Sequence, residues 1–171
     1  PRVHLILGDI LNPKVVDSDR SRKRLYSEVT SVVHAACYSN IRGNYEVCFR
    51  QNVGGTKNML QFAKKLKHLK FFHYLSSIAV SGDFKGELKE DVLDIGQKFS
   101  NFYAKTKFDA ELSVRKWSSS TVATRIYRLG VLVGDSTQGM TPQKDGPYYF
   151  FGLLDKLQRK KLLLNTLKYL P

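Results

Sequence analysis

Two stretches decide how this chain is read: Phe71-Phe-His-Tyr-Leu-Ser-Ser77 and, further along, Asn101-Phe-Tyr-Ala-Lys-Thr-Lys107. The first is an apolar run ending in two hydroxyls, the pattern of a buried strand that stops at a loop. The second opens a helical stretch from Asn101 to Trp117. Within it Tyr103 and Lys107 stand four apart, so one helical turn places phenol and ammonium on the same face. A cation beside a phenol favours the phenolate and draws its pKa below the usual value of about 10. That pair suits general acid/base work on a carbonyl or alcohol oxygen, with the Ser77 hydroxyl holding the same oxygen. In a chain this rich in tyrosine and lysine the four-residue spacing alone is close to chance. The strand-terminal serine gives it specificity.

Working outward, other apolar runs alternate with helical patterns. Val3-His-Leu-Ile-Leu7 ends at Gly8-Asp9 and predicts a buried strand, and Ser31 to Cys37 predicts another, closing in small residues. Between them Asp17 to Glu28 is polar and helical. Asn44 to Lys67 predicts one long helix or two, with Met59, Leu60, Phe62, Ala63 and Leu66 as its apolar stripe. Residues 78–100 carry breakers at Gly82, Gly86 and Gly96 and are expected to form a loop. Val122 to Leu129 is a further strand, and Tyr148 to Leu170 a terminal helix. Strands alternating with helices predict an α/β fold with a parallel sheet. Ligands of such sheets sit beyond the carboxyl ends of the strands. Gly8-Asp9, Ala35-Ala36-Cys37, Ser76-Ser77 and Leu129-Gly130 all fall at those ends.

The chain has 171 residues, 42% of them hydrophobic, enough for a core within one domain. Its two cysteines, Cys37 and Cys48, fit neither a metal-ligand spacing nor a disulfide framework, so a reducing, cytoplasmic compartment is expected and no metal site. No apolar run approaches the roughly 18 residues of a membrane span. The net charge of +13 raises nucleic acid as a partner. The basic residues are scattered, however, with no zinc-finger spacing, RNP motif or long basic arm, so no nucleic-acid role is expected. A basic surface equally attracts an acidic protein.

These motifs resemble the extended short-chain dehydrogenase/reductase superfamily through most of the chain. Gly8-Asp9-Ile10 is similar to the segment whose aspartate contacts the adenine ring. Val33-His-Ala-Ala36 resembles the strand end lying against the cofactor, and Asn52-Val-Gly-Gly-Thr56 the family's Asn-Val-x-Gly-Thr helix. Ser76-Ser77 with Val80-Ser-Gly82 resembles the catalytic-serine strand. Aligning on Gly82 favours Ser77 over Ser76. Tyr103 to Lys107 matches Tyr-x-x-x-Lys, and Tyr127-Arg-Leu-Gly130 resembles the strand near the nicotinamide. Within the superfamily the chain most resembles the thioester reductase domains that terminate nonribosomal peptide and polyketide synthetases. Ile95 to Tyr103 and Gly134-Asp-Ser136 with Gly139 carry that likeness, and fatty acyl-CoA reductases are near neighbours. The glycine-rich phosphate loop is absent, and Gly54-Gly55 does not replace it. The chain opens on Pro1 rather than methionine. Residues 1–171 are therefore read as a single, partial Rossmann-like domain, lacking the first βαβ segment and part of the substrate lobe.

The resemblance implies reductive release of a thioester carried on the phosphopantetheine arm of a carrier-protein domain, giving an aldehyde or alcohol. NADPH, favoured over NADH, is the hydride donor it implies. Ser77, Tyr103 and Lys107 would be catalytic. Asp9, Ile10, Ala35, Ala36, Asn52, Leu129, Tyr103 and Lys107 would contact the cofactor. Three other readings stay open: a nucleotide-sugar epimerase, dehydratase or hydroxysteroid-type dehydrogenase of the same superfamily, a non-catalytic module with the same fold, and a nucleic-acid binder. Asp9 as a turn cap, His34 as a buried hydrogen-bonded side chain and Asn52 as a structural residue are the plain alternatives at those positions.

Overall fold

The computed structural model describes residues 2–117, 121–141 and 147–159. They fall into two compact units, residues 1–130 and 131–171. The first begins with a small antiparallel ribbon, β1 (Gly8–Asp9) against β2 (Val15–Val16), followed by helix α1 (Asp19–Glu28). Strand β3 (Ser31–His34) leads into a continuous helical stretch made of α2 (Tyr45–Cys48), a π-helical turn (Phe49–Gly54) and α3 (Gly55–Ala63). Strand β4 (Phe71–Ser77) passes through a 3-10 turn (Ile78–Ser81) and a long loop to α4 (Phe102–Trp117) and β5 (Ala123–Leu129). Strands β3, β4 and β5 form a parallel three-stranded sheet in that order, the α/β arrangement the alternating pattern predicts.

Polar caps set the helix starts. Ser18, Asn44 and Asn101 each accept a bond from a first-turn backbone N–H, of Ser21 (3.3 Å), Val47 (2.9 Å) and Ala104 (2.8 Å). Period-two burial along the strands sets the layers. Val32 and His34 of β3 and Phe72, Tyr74 and Ser76 of β4 are buried, while Val33 and Phe71 on the other face are exposed. The buried face packs beneath α3 and α4, where Leu60, Phe62, Ala63, Ala110 and Val114 complete the core. Phe72 meets Trp117 with ring centroids 5.0 Å apart. Burying a side chain of this size contributes about 1.5–3 kcal/mol. A second cluster, Val80, Leu93 and Phe108, pins the 78–100 segment onto α4. Gly82 turns that segment at φ +57°, and a Cβ there would lie 2.3 Å from the Lys98 carbonyl oxygen, so only glycine fits.

One expectation fails. Val3 to Leu7 forms no strand, and Val3 and Leu5 are 84% and 91% exposed. An apolar run becomes a buried strand only beside a neighbour that takes its backbone bonds, and among the described residues only the Leu7 carbonyl is seen to accept one, from the Asp17 amide at 3.3 Å. Strand β3 also stops at His34, where its register with Tyr74 ends, leaving Ala35 to Cys37 beyond the sheet. In the second unit Asp135 organises a tight turn, accepting from the Gln138 amide at 2.8 Å, and α5 (Pro147–Arg159) follows. The remainder of the expected terminal helix, to Leu170, lies outside the described residues.

Candidate active site

Parallel pairing aligns the carboxyl ends of β3, β4 and β5 along one rim, with Ser77 opposite Leu129. Three of the four strand ends expected to converge do so: Ala35-Ala36-Cys37, Ser76-Ser77 and Leu129. Gly8–Asp9 belongs to the separate ribbon instead. Its neighbour Ile10 is tied to α3, since the Asn58 amide donates to the Ile10 carbonyl at 2.8 Å. The Ile10 side chain packs against Gly55 so closely that a Cβ there would meet its Cδ1 at 2.5 Å. The Asp9 carboxylate is exposed and accepts from the Leu11 amide at 2.8 Å, a local turn bond.

The two serines ending β4 separate cleanly. Ser76 is buried and commits its hydroxyl to Glu111 at 2.6 Å. Ser77, on the opposite face, is half-buried, and its oxygen accepts from the Ala79 amide at 3.2 Å. The phenol of Tyr103, also half-buried, lies near Ser77, whose hydroxyl favours the phenolate. Burial pushes the Tyr103 pKa up, against the smaller lowering effect of that hydroxyl. This reverses the direction expected from the Tyr/Lys spacing. The ammonium expected to lower the phenol's pKa is turned elsewhere.

Lys107 is 3% exposed. Its Nζ donates to the Leu75 carbonyl at 2.7 Å and to the Tyr74 hydroxyl at 3.1 Å. Burial lowers its pKa, and Cys37 and Glu111 oppose that shift. An ammonium has three N–H donors and these bonds use two, so the donor set fits a further oxygen acceptor such as a ribose hydroxyl. Burial likewise raises the Tyr74 pKa well beyond the ordinary phenol range.

His34 and Asn52 are both bonded into the surrounding structure. His34 Nε2 lies 2.9 Å from the Thr56 hydroxyl, and burial, reinforced by Lys107, lowers its pKa to about 4. Asn52, in the π-helical turn, accepts from the Tyr38 amide at 2.8 Å and donates to the Tyr38 carbonyl (3.1 Å) and the Thr106 hydroxyl (3.0 Å). Thr106 lies 2.8 and 3.1 Å from the Phe102 and Tyr103 carbonyls, so Asn52 braces the first turn of α4. A π turn is the kind of local irregularity that serves a site. The His34 shift fixes a stability window. Between pH 6.5 and about 4 the unfolded chain binds a proton that the folded chain refuses. Stability is therefore expected to fall on acidification through that window, by on the order of 3 kcal/mol at pH 4. Urea midpoints measured from pH 7 downward check this. A His34→Phe variant with an equally steep acid loss would contradict it.

Sequence reasoning missed Thr56, Tyr74, Thr106 and Glu111. Glu111 was findable, being four residues beyond Lys107 and hence on the same helix face. Beside the N-terminus of α4 opens a cleft of about 560 Å³ whose lining includes Ile41, Arg42, Lys98, Phe99 and Phe102. Ser77, Tyr103 and Lys107 do not line it.

All 171 residues match the family model described as male sterility protein, an NAD-binding family. Over 149 residues the chain is 26% identical to one of the proteins that make up the linear gramicidin synthase of Brevibacillus parabrevis, covering 84% of this chain and 3% of that protein. It is 31% identical over 100 residues to the alcohol-forming fatty acyl-CoA reductase of Simmondsia chinensis, covering 58% of this chain and 20% of that one. The crystal structure of the terminal R domain from the myxalamid PKS-NRPS biosynthetic pathway is 30% identical with a TM-score of 0.72, covering 82% of this chain and 36% of that one. The chain thus spans well under half the length of each.

Proposed function

The chain belongs to the NAD-binding male sterility protein family, and on that premise we propose that it contributes the proton-handling half of a thioester reductase site, in one reductase domain that includes residues 1–171. The reading rests on one observation: the hydroxyls of Ser77 and Tyr103 are brought together at the carboxyl rim of a parallel sheet. Two adjacent hydroxyls at that rim can donate to a single oxygen as charge grows on it.

Ala35 and Ala36 beyond β3, Leu129 at the end of β5 and the spare donor of Lys107 would hold the cofactor, with Asp9 and Ile10 nearer its adenine end and Asn52 supporting from the π turn that braces α4. When bound, the reduced nicotinamide supplies a hydride. NADPH is the form proposed. Tyr103 holds its proton at the carbonyl oxygen and gives it up as the carbonyl carbon is reduced. Ser77 keeps that oxygen in place. Lys107 anchors the adjoining strand and ribose. Collapse of the resulting hemithioacetal breaks the carbon–sulfur bond and releases an aldehyde and a free thiol, and a second hydride and proton give the alcohol. The thiol proposed is a carrier domain's phosphopantetheine, in the cytoplasm. Likeness to a gramicidin synthase protein supports the carrier, and likeness to a fatty acyl-CoA reductase supports reduction of an acyl thioester.

The test is NADPH consumption by the full-length protein with an acyl group on a carrier domain, on coenzyme A, and with a nucleotide sugar. Carrier-dependent appearance of aldehyde or alcohol is expected. Carrier retention should weaken as salt rises past about 0.1 M, where charges are screened, since the chain carries a charge of +13. Turnover of the nucleotide sugar with none of the thioesters would overturn the reading.

A further inference from the structure

Besides Lys107, the described residues bury one other full charge. Glu111, one turn past Lys107 on α4, is 0% exposed. Its Oε2 accepts from the Ser76 hydroxyl at 2.6 Å. Its Oε1 accepts from Arg128 Nη2 at 2.9 Å and from Arg115 Nε at 3.1 Å. Both arginines reach on. Arg115 donates to the carbonyls of Asp91 (2.9 Å) and Glu90 (2.8 Å), and Arg128 to those of Lys89 (3.1 Å) and Val92 (2.5 Å). One carboxylate therefore joins α4, the end of β4, β5 and four consecutive loop carbonyls.

A carboxylate shut away from water is costly unless paired, and as a brace alone this cluster could be replaced by apolar side chains. What it grips is more specific. Ser76 directly precedes Ser77, and side chains alternate along a strand. Fixing the Ser76 hydroxyl on the helix side sets Ser77 toward Tyr103. We propose that Glu111 is a positioning residue of the reductase site: by holding Ser76 and Arg128 it fixes the end of β4, and so the Ser77 hydroxyl, against the turns of α4 that carry Tyr103 and Lys107. This rests on the reductase reading, because the alignment matters only where both hydroxyls meet one substrate oxygen. Electrostatics point the same way. The groups facing Lys107 are His34 from β3, Cys37 just beyond it, Tyr74 from β4 and Glu111 on α4. Of these Cys37 and Glu111 favour its protonated form against the opposing effect of burial.

In the full-length protein Glu111→Gln retains an acceptor for Ser76 and removes the charge. Its kcat on an acyl thioester is expected to fall about tenfold or more, with a smaller change in NADPH affinity. The alkaline limb of its pH profile should move to lower pH, because Lys107 loses its proton more easily. Trypsin should cut faster after Lys89, as the arginines lose their anchor. Ser76→Ala leaves both ion pairs in place and should lower kcat severalfold while trypsin resistance persists. It decides the matter if the glutamine variant does not fold. Wild-type kcat with an unmoved alkaline limb in folded Glu111→Gln, or wild-type kcat in Ser76→Ala, overturns the proposal. If the wild-type protein itself reduces no acyl thioester, the reductase reading has failed, and the trypsin rates judge the brace separately: equal cleavage of wild type and Glu111→Gln removes it too.

Discussion

Replacing Tyr103 by phenylalanine is expected to lower turnover of the full-length protein by about 10²-fold or more, with little change in cofactor affinity. Phenylalanine keeps the half-buried ring and removes only the hydroxyl that lies near Ser77. The main anchor proposed for the cofactor, Lys107, is untouched, so binding and chemistry should separate. The direction of the Tyr103 shift sharpens the expectation. Because burial raises its pKa, the phenol stays protonated across the neutral range, and in the proposed reaction it would be an acid that gives up its proton only as charge develops on substrate oxygen. Losing Tyr103 should therefore remove rate at every pH rather than shift a limb of the profile. Single-turnover rates and nicotinamide fluorescence titrations measure the two quantities. A phenylalanine variant with near-normal single-turnover rates would take Tyr103 out of the mechanism.

What could be read in the sequence followed local rules, and what could not depended on distant neighbours. Phe71 to Ser77 is a strand because its alternation fits a sheet with one covered face, and α4 begins beside Asn101 because that side chain caps it. The preference for Ser77 over Ser76 is supported by an observation no spacing could supply: Ser76 is already committed to Glu111. Val3 to Leu7 misled, because apolar character does not reveal whether a partner strand lies alongside. The orientation of Lys107 was equally hidden. Helical spacing puts it on the face of Tyr103, but the Leu75 carbonyl and Tyr74 hydroxyl, on another element, draw its ammonium away. Asn52 shows the same limit. Its motif was visible, whereas its bonds to Tyr38 and Thr106 depend on a π turn that no periodicity announces.

Lys107 is where stability and function should pull apart most. Its ammonium gives up hydration to sit 3% exposed, with a neutral carbonyl and a neutral phenol as hydrogen-bond partners. Burial is accordingly the dominant effect on its pKa, which it lowers. The sign follows from linkage. The unfolded chain holds the lysine proton more tightly, so stability rises as pH climbs from the folded-state value towards about 10.4, the ordinary lysine value. Lys107→Met preserves the unbranched packing and removes that opposition, so it is expected to be as stable as wild type or more so at neutral pH, and to lack the alkaline gain. Its activity should nevertheless collapse by about 10²-fold or more, since both the strand anchor and the proposed ribose contact would be lost. Cofactor affinity should weaken by roughly ten- to a hundredfold, the loss of one hydrogen bond to a charged group worth about 1.5–3 kcal/mol. Lys107→Ala adds a cavity and should lose stability as well as both functions. Thermal melts, NADPH titrations and turnover on the same two variants resolve the contributions. A methionine variant that binds and turns over like wild type would show that this buried cation serves packing alone.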